Sequence, residues 1–247
     1  MNFKSEIMTL SLRQVAACGD LAGAMRPPLR SPGRLQFALM LTLIEQFEAA
    51  VLLAEAGLVT HGAVHARSML MALADLRLLR ISAEHTQRMK HDQASSEVRL
   101  YKRGLAAAVH EKDRVFFERR LSDSEASLEP LKEVVRPRKL EETEKLRQAD
   151  LVEMIVPYTM LCGFVHNDLA ALSLRHQGQE SMTLRAPAAD HIFWLVLQVA
   201  HAALMLGAEE MSDVAAFDEE AFHQAISRMR VVCHRISSLV PPRPDGA

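Results

Sequence analysis

The chain has 247 residues, 49% hydrophobic and 24% charged, which is enough apolar content for a substantial core and too much for a disordered polymer. Its 29 Lys and Arg against 31 Asp and Glu give a formal charge of -2, so composition implies neither a generally basic nucleic-acid surface nor an acidic tail. Three cysteines, Cys18, Cys162 and Cys233, form no Cys-x-x-Cys pair, which disfavours a disulfide framework or a cysteine zinc site and fits a reduced, cytoplasmic setting.

Ten glycines and ten prolines fall mainly between Leu, Ala and Met-rich segments of helical spacing, and alternating β-branched runs are nearly absent. The expected fold class is all-α: a single helical domain over 1–247, built as a bundle of about seven to nine helices. A short helix is expected over Lys4–Cys18, followed by a linker, Gly19–Gly33, with Gly23, Pro27, Pro28 and Pro32. Leu35–Ala56 and Ala63–Ser82 read as helices separated by Gly57 and Thr60, close enough to form an antiparallel hairpin at the centre of the core. A polar middle, Glu84–Asp150, follows, and residues 76–150 carry a net charge of +3 against 0 for 1–75 and -5 for 151–247. Pro130 and Pro137 are expected to break it into short helices, with Arg136–Arg147 a solvated face of mixed sign.

Apolar residues return from Leu151 to Leu174, where Pro157 is placed to restart a helix. A loop over Arg175–Ala186 containing Gly178 leads to Pro187, expected in the first turn of a helix running to Leu206. The last helix spans Asp218–Leu239, before a tail over 241–247 that holds Pro242, Arg243 and Pro244. The opening Met1–Glu6 has no apolar leader, and Ile192–Ala208 carries Gln198 and His201, so no membrane partner is expected.

Polar residues inside apolar helices are the informative ones, because an unpaired polar group costs about 1–3 kcal/mol to bury. Two places qualify. Arg67 interrupts Ala63–Ala74 with Asp75 two turns on, and Tyr158, His166, Asn167 and Asp168 interrupt the 158–172 stretch. If both helices line one core, Arg67 and His166 meet there, with Glu45 or Glu48 as counter-charge. The alternative is a structural role: Arg67 in an ion pair and His166 hydrogen-bonded at the rim.

Arg67-Ser68 in a small-residue helix, followed about a hundred residues later by Tyr158 and His166, resembles an uncharacterised family of bacterial all-helical proteins. That family is in turn similar to the HEPN helical bundles of toxin, antiphage and RNA-processing systems. Where its members carry a Glu a turn beyond the Arg-Ser pair, this chain has Met71 and Ala72. The resemblance implies an RNA-associated or defence-related role, with Arg67, Tyr158 and His166 as candidate catalytic residues of a metal-independent ribonuclease. The HEPN spacing of Arg, four to six residues, then His occurs at Arg80/His85, Arg103/His110, Arg185/His191 and Arg228/His234. Chance supplies about three such pairs in a chain of this composition, so they carry little information.

Other constellations are weaker. His61 and His65 stand at i and i+4, which could put two imidazoles of a metal-binding bundle on one face, with Asp75, His166 or Asp168 as a third ligand. Arg77, Arg80, Arg88, Arg99 and Arg103, with His91, recur at helical intervals and would form a phosphate-binding stripe on one continuous helix. Glu84, Asp92 and Glu97 interleave with them, so a solvated, ion-paired face is the rival explanation. His191, Gln198 and His201 read as a polar strip, with Trp194 and Leu195 on the core side. No Walker loop, dinucleotide fingerprint or Gly-x-Ser-x-Gly elbow is present, so no nucleotide cofactor, and no other cofactor, is expected.

Two function classes follow: an RNA-associated HEPN-like protein with Arg67 and His166 at its site, or a non-catalytic helical interaction protein. RNA and a second copy of the chain, docked through the Pro187–Leu206 helix, are the expected partners.

Overall fold

A computed structural model describes residues 2–134, 140–166, 168–176 and 181–242. The protein is all-α, with ten α-helices and two two-residue strands among the described residues. They are α1 (Phe3–Ala24), α2 (Gly33–Glu55), α3 (Val59–Ile81), α4 (His85–Ala107) and α5 (Glu111–Val134), then α6 (Glu142–Gln148), α7 (Ile155–Val165), α8 (Leu169–His176), α9 (Asp190–Glu210) and α10 (Glu219–Ser238). The fold divides into two compact units, 1–77 with 142–247, and 78–141, the boundary falling within α3.

The first unit is built around α9, which packs on α1, α2 and α10. Its apolar residues recur on all sides, so Ile192, Val196, Leu197, Ala200, Leu204 and Ala208 are all buried. This overturns the expectation that this helix offers a free face to a twin. By length and composition α2 and α9 could each cross a membrane; here α9 is a core helix with 67% of its most apolar window buried. His201 does not belong to a solvent strip either, being 1% exposed and hydrogen-bonded to Ser11 Oγ at 2.9 Å. Trp194 is half-buried and donates Nε1–H to the Ile236 carbonyl at 3.2 Å.

Capping and backbone chemistry set the helix limits. Asn2 accepts from the Ser5 amide at 2.8 Å to start α1, and Asp218 accepts from the Ala221 amide at 3.0 Å to start α10, where Glu219 and Glu220 complement the helix dipole. α1 continues to Ala24, so the expected linker from Gly19 begins six residues late: Gly19 and Gly23 are helical. Met25 and Arg26 then pair antiparallel with Phe217 and Ala216, tying the end of α1 to the entry of α10. Gly57, at φ +74, turns the chain in the left-handed region, and the Leu58 amide closes back on the Leu53 carbonyl at 2.7 Å.

The α2–α3 hairpin is antiparallel as expected: Gln36 donates to the Leu76 carbonyl at 3.3 Å, and Gln46 Oε1 meets His65 Nδ1 at 2.6 Å. Pro157 lies in the first turn of α7, after a 3-10 turn at Val152–Met154. Pro187 stands ahead of α9 rather than in its first turn, because that helix begins at Asp190.

The second unit contains the α4–α5 hairpin. Ala94 and Val98 are buried on α4 and Ser124 on α5, flanked by half-buried Tyr101, Leu105, Phe117, Leu121, Leu128 and Leu131. Their three-and-four spacing is that of a two-helix seam. Gly104 allows close approach: a Cβ there would come within 2.6 Å of the Phe117 ring. Pro130 lies inside α5 and does not end it. Pro137, Arg136, Asn167, Gly178, Arg243 and Pro244 lie outside the described residues.

Candidate functional site

α3 and α7 run antiparallel, fastened to each other at two points. Near one, Arg67 of α3 donates from Nη2 to the Tyr158 hydroxyl at 2.8 Å and from Nε to Cys162 Sγ at 3.2 Å. At the other, Arg175 of α8 donates to the Thr60 hydroxyl at 3.3 Å, to the Thr60 carbonyl at 3.0 Å and to the Phe164 carbonyl at 2.9 Å. Tyr158 and Cys162 are one helical turn apart, so both face the same residue of α3.

The Arg67 guanidinium also lies 5.1 Å from the centre of the Tyr158 ring, a cation–π distance. Tyr158 is only 5% exposed while Arg67 is half-buried. Burial, reinforced by the bond to Cys162, pushes the Tyr158 phenol up to about 12 despite the adjacent guanidinium. It therefore remains a neutral hydroxyl whose oxygen accepts from Arg67. Burial works against the charge of Arg67, but its bonds to Cys162 and Tyr158 outweigh that and hold it above its ordinary value.

Neither partner of Arg67 is a carboxylate. Glu45 and Glu48 are exposed on α2, and Asp75 pairs with Lys145 Nζ at 2.9 Å, so the expected counter-charges are occupied elsewhere or outside. His166 is exposed just past the end of α7, its amide bonded to the Cys162 carbonyl at 3.0 Å, and Arg67 bonds Tyr158 and Cys162 rather than His166. The structure thus joins Arg67 with Tyr158 and leaves the imidazole one turn beyond Cys162. Cys162 was missed in the sequence, although its i+4 spacing from Tyr158 signalled a shared face. Arg175 was also missed, because an Arg at a helix end before a loop reads as a solvated charge.

The basic residues do not form one stripe, because Ser82–Glu84 separates α3 from α4. Arg77 is engaged by Glu210 at 3.0 Å and by the Asp150 carbonyl at 3.0 Å, so it is a structural clamp. Arg80 lies near the end of α3; Arg88, Arg99 and Arg103 lie on α4, where Arg99 and Arg103 are exposed one turn apart. The two-histidine metal site is not assembled: His61 is exposed, His65 bonds Gln46, and among the described residues no three His, Cys, Asp or Glu side chains converge.

Described residues of the first unit line several cavities, of which three bear on the site. One, about 460 Å³, lies between the start of α1 and the approach to α9, and a second of about 400 Å³ separates α1 from α10. A third, about 150 Å³, sits at the N-terminal end of α3 and is lined by Thr60, His61, Arg175, His176 and Arg185. Comparison of the chain with family models, with curated proteins and with solved structures returns no match.

Proposed function

We propose that this helical protein binds the phosphate backbone of RNA, with Arg67 as the phosphate-holding residue at the α3–α7 seam. The observation that carries this reading is a half-buried guanidinium whose partners are the Tyr158 hydroxyl and the Cys162 sulfur, with no carboxylate among them. A cation in that position normally has a carboxylate beside it; a phosphate would supply the missing charge and accept from Nη1, which neither bond uses. Tyr158 and Cys162 position the guanidinium for it. His166, exposed one turn beyond Cys162, is the imidazole for a metal-independent cleavage step: it takes the 2′-hydroxyl proton as that oxygen attacks phosphorus to form the 2′,3′-cyclic phosphate, and the P–O5′ bond breaks with the leaving 5′-oxygen protonated by water. The HEPN-like resemblance agrees with this division of roles.

The test is fluorescence anisotropy and cleavage of a short single-stranded RNA with the parent, Arg67→Lys and His166→Ala proteins. Arg67→Lys keeps charge but loses the planar fork, and is expected to weaken binding about tenfold. His166→Ala should spare binding and remove cleavage, and chelator should change neither. A parent protein with no affinity for RNA at low salt overturns the proposal.

One observation favours a second reading, a non-catalytic interaction protein: Val152, Val156 and Met160 follow one another at i, i+4 and i+8 with 58%, 67% and 48% exposure. Sedimentation of a Val156→Glu variant beside the parent tests it, a parent monomer at tens of micromolar counting against self-association through this face.

A further inference from the structure

We propose a second site, distinct from Arg67: the cavity at the N-terminal end of α3 binds one tetrahedral oxyanion of the phosphate class, held by His61, His176 and Arg185. The wall is made by three segments that converge: the α2–α3 turn at Gly57–His61, the end of α8 at Arg175 and His176, and the returning chain at Leu184–Ala186. Among the described residues nine line it, four of them Arg or His and none acidic. Arg175 is 9% exposed, with donors directed to Thr60 and the Phe164 carbonyl, so it is a fixed positive charge in the wall rather than a flexible surface group.

The cavity also lies at the positive end of the 23-residue α3 dipole, which adds to the same field. Partial desolvation at the cavity wall first, and then the charges of Arg175 and His176, lower the proton affinity of His61. Among the described residues these two are the charged groups acting on it.

Size selects the ligand. A volume of about 150 Å³ is below the roughly 300 Å³ at which sites for whole small molecules begin, so the pocket takes a single anionic group with any larger body left outside. His176 supports this use, since its Nδ1 meets the Thr183 carbonyl at 3.3 Å and that leaves Nε2 as the ring nitrogen for an anion. An anion bound between His61 and His176 favours their protonated forms, so binding takes up protons and strengthens as pH falls through the imidazole range.

Titration calorimetry on the full chain tests the site, with sulfate, inorganic phosphate and a phosphate monoester such as glycerol phosphate as separate probes. Sulfate keeps its charge between about pH 6 and about pH 8, so a change in its affinity reports the imidazoles. The expected result is saturable sulfate binding, about tenfold or more tighter at the lower pH, lost in both His61→Gln and Arg185→Gln and unaltered in Arg99→Gln. Tighter binding of the monoester than of inorganic phosphate assigns the group to a larger molecule; the reverse order assigns it to free phosphate. Proton NMR of the parent should show His61 and His176 titrating at higher pH with sulfate present, which separates direct binding from misfolding in a variant. Sulfate binding that is unsaturable at pH 6, or unaffected by His61→Gln and Arg185→Gln, overturns the site. Because His61→Gln and Arg185→Gln change neither Arg67 nor His166, this result stays separate from the fate of the RNA reading.

Discussion

Arg77 and Glu210, 133 positions apart in the chain, meet at 3.0 Å with side chains only 17% and 8% exposed. The pair ties α3 to the last residue of α9, and Arg77 reaches on to the Ala149 and Asp150 carbonyls, bringing the segment after α6 into the same clamp. Removing one member of such a pair leaves the other charge poorly solvated. Arg77→Ala is therefore expected to lower unfolding free energy by about 3–5 kcal/mol, measured by urea denaturation, whereas the exposed Arg99→Ala should stay within about 0.5 kcal/mol. Equal midpoints for the two variants would show that Arg77 is not a clamp.

His201 gives the fold an acid sensitivity of definite sign. Burial lowers its proton affinity to about 3, against about 6.5 in an unfolded chain, with Ser11 Oγ at Nε2 and the Phe47 ring edge-on at 4.7 Å. Between those two values the unfolded state binds a proton that the folded state does not. Stability from this residue is complete above about pH 6.5 and falls by about 1.4 kcal/mol per unit below it, until about pH 3. Chemical denaturation of the parent and of His201→Leu at about pH 7.5 and about pH 5 should give a smaller pH-linked loss in the variant. Parallel losses would remove His201 as the cause.

Gly207 sets the approach of α9 to α2. A Cβ at that position would collide with Leu43 Cδ1, and Leu43 is completely buried, so its side chain must repack against core neighbours to make room. Alanine is the better helix former by about 1 kcal/mol, yet overpacking costs about 1–3 kcal/mol. Gly207→Ala should destabilise the protein, and a companion Leu43→Ala change should recover part of the loss in a double-mutant cycle. A stabilised Gly207→Ala protein would mean that packing is not the limiting factor.

Tyr158→Phe keeps the ring below the Arg67 guanidinium and removes the hydroxyl that accepts from Nη2. A hydrogen bond from a charged donor is worth about 1.5–3 kcal/mol, so a loss in the lower part of that range is expected in thermal melts for this half-buried site. The high-pH rise in tyrosinate absorbance near 12 should disappear with it. Survival of that rise in the variant would assign it to Tyr101 and contradict the buried phenol.

The sequence by itself determined the helical class, the α2–α3 hairpin and the unusual status of Arg67 and Tyr158, since these depend on local spacing: apolar residues at three and four, Gly57 at a turn, a cation in an apolar run. Tertiary structure decided everything that depends on which face meets which. Gly19 and Gly23 stay helical because α1 packs along its length on α10, and Pro130 stays inside α5 because the hairpin seam continues on both sides of it. α9 became the enclosed central helix instead of a dimer face, for it has buried residues all round and three neighbours to cover them. Arg77 left the basic stripe for Glu210, and Arg67 chose Tyr158 and Cys162 over Glu45, Glu48 and His166. A pattern fixes the side of a helix on which a charge emerges; only the assembled fold brings a distant partner within 3 Å, and that proximity separates a structural clamp from a charge awaiting a ligand.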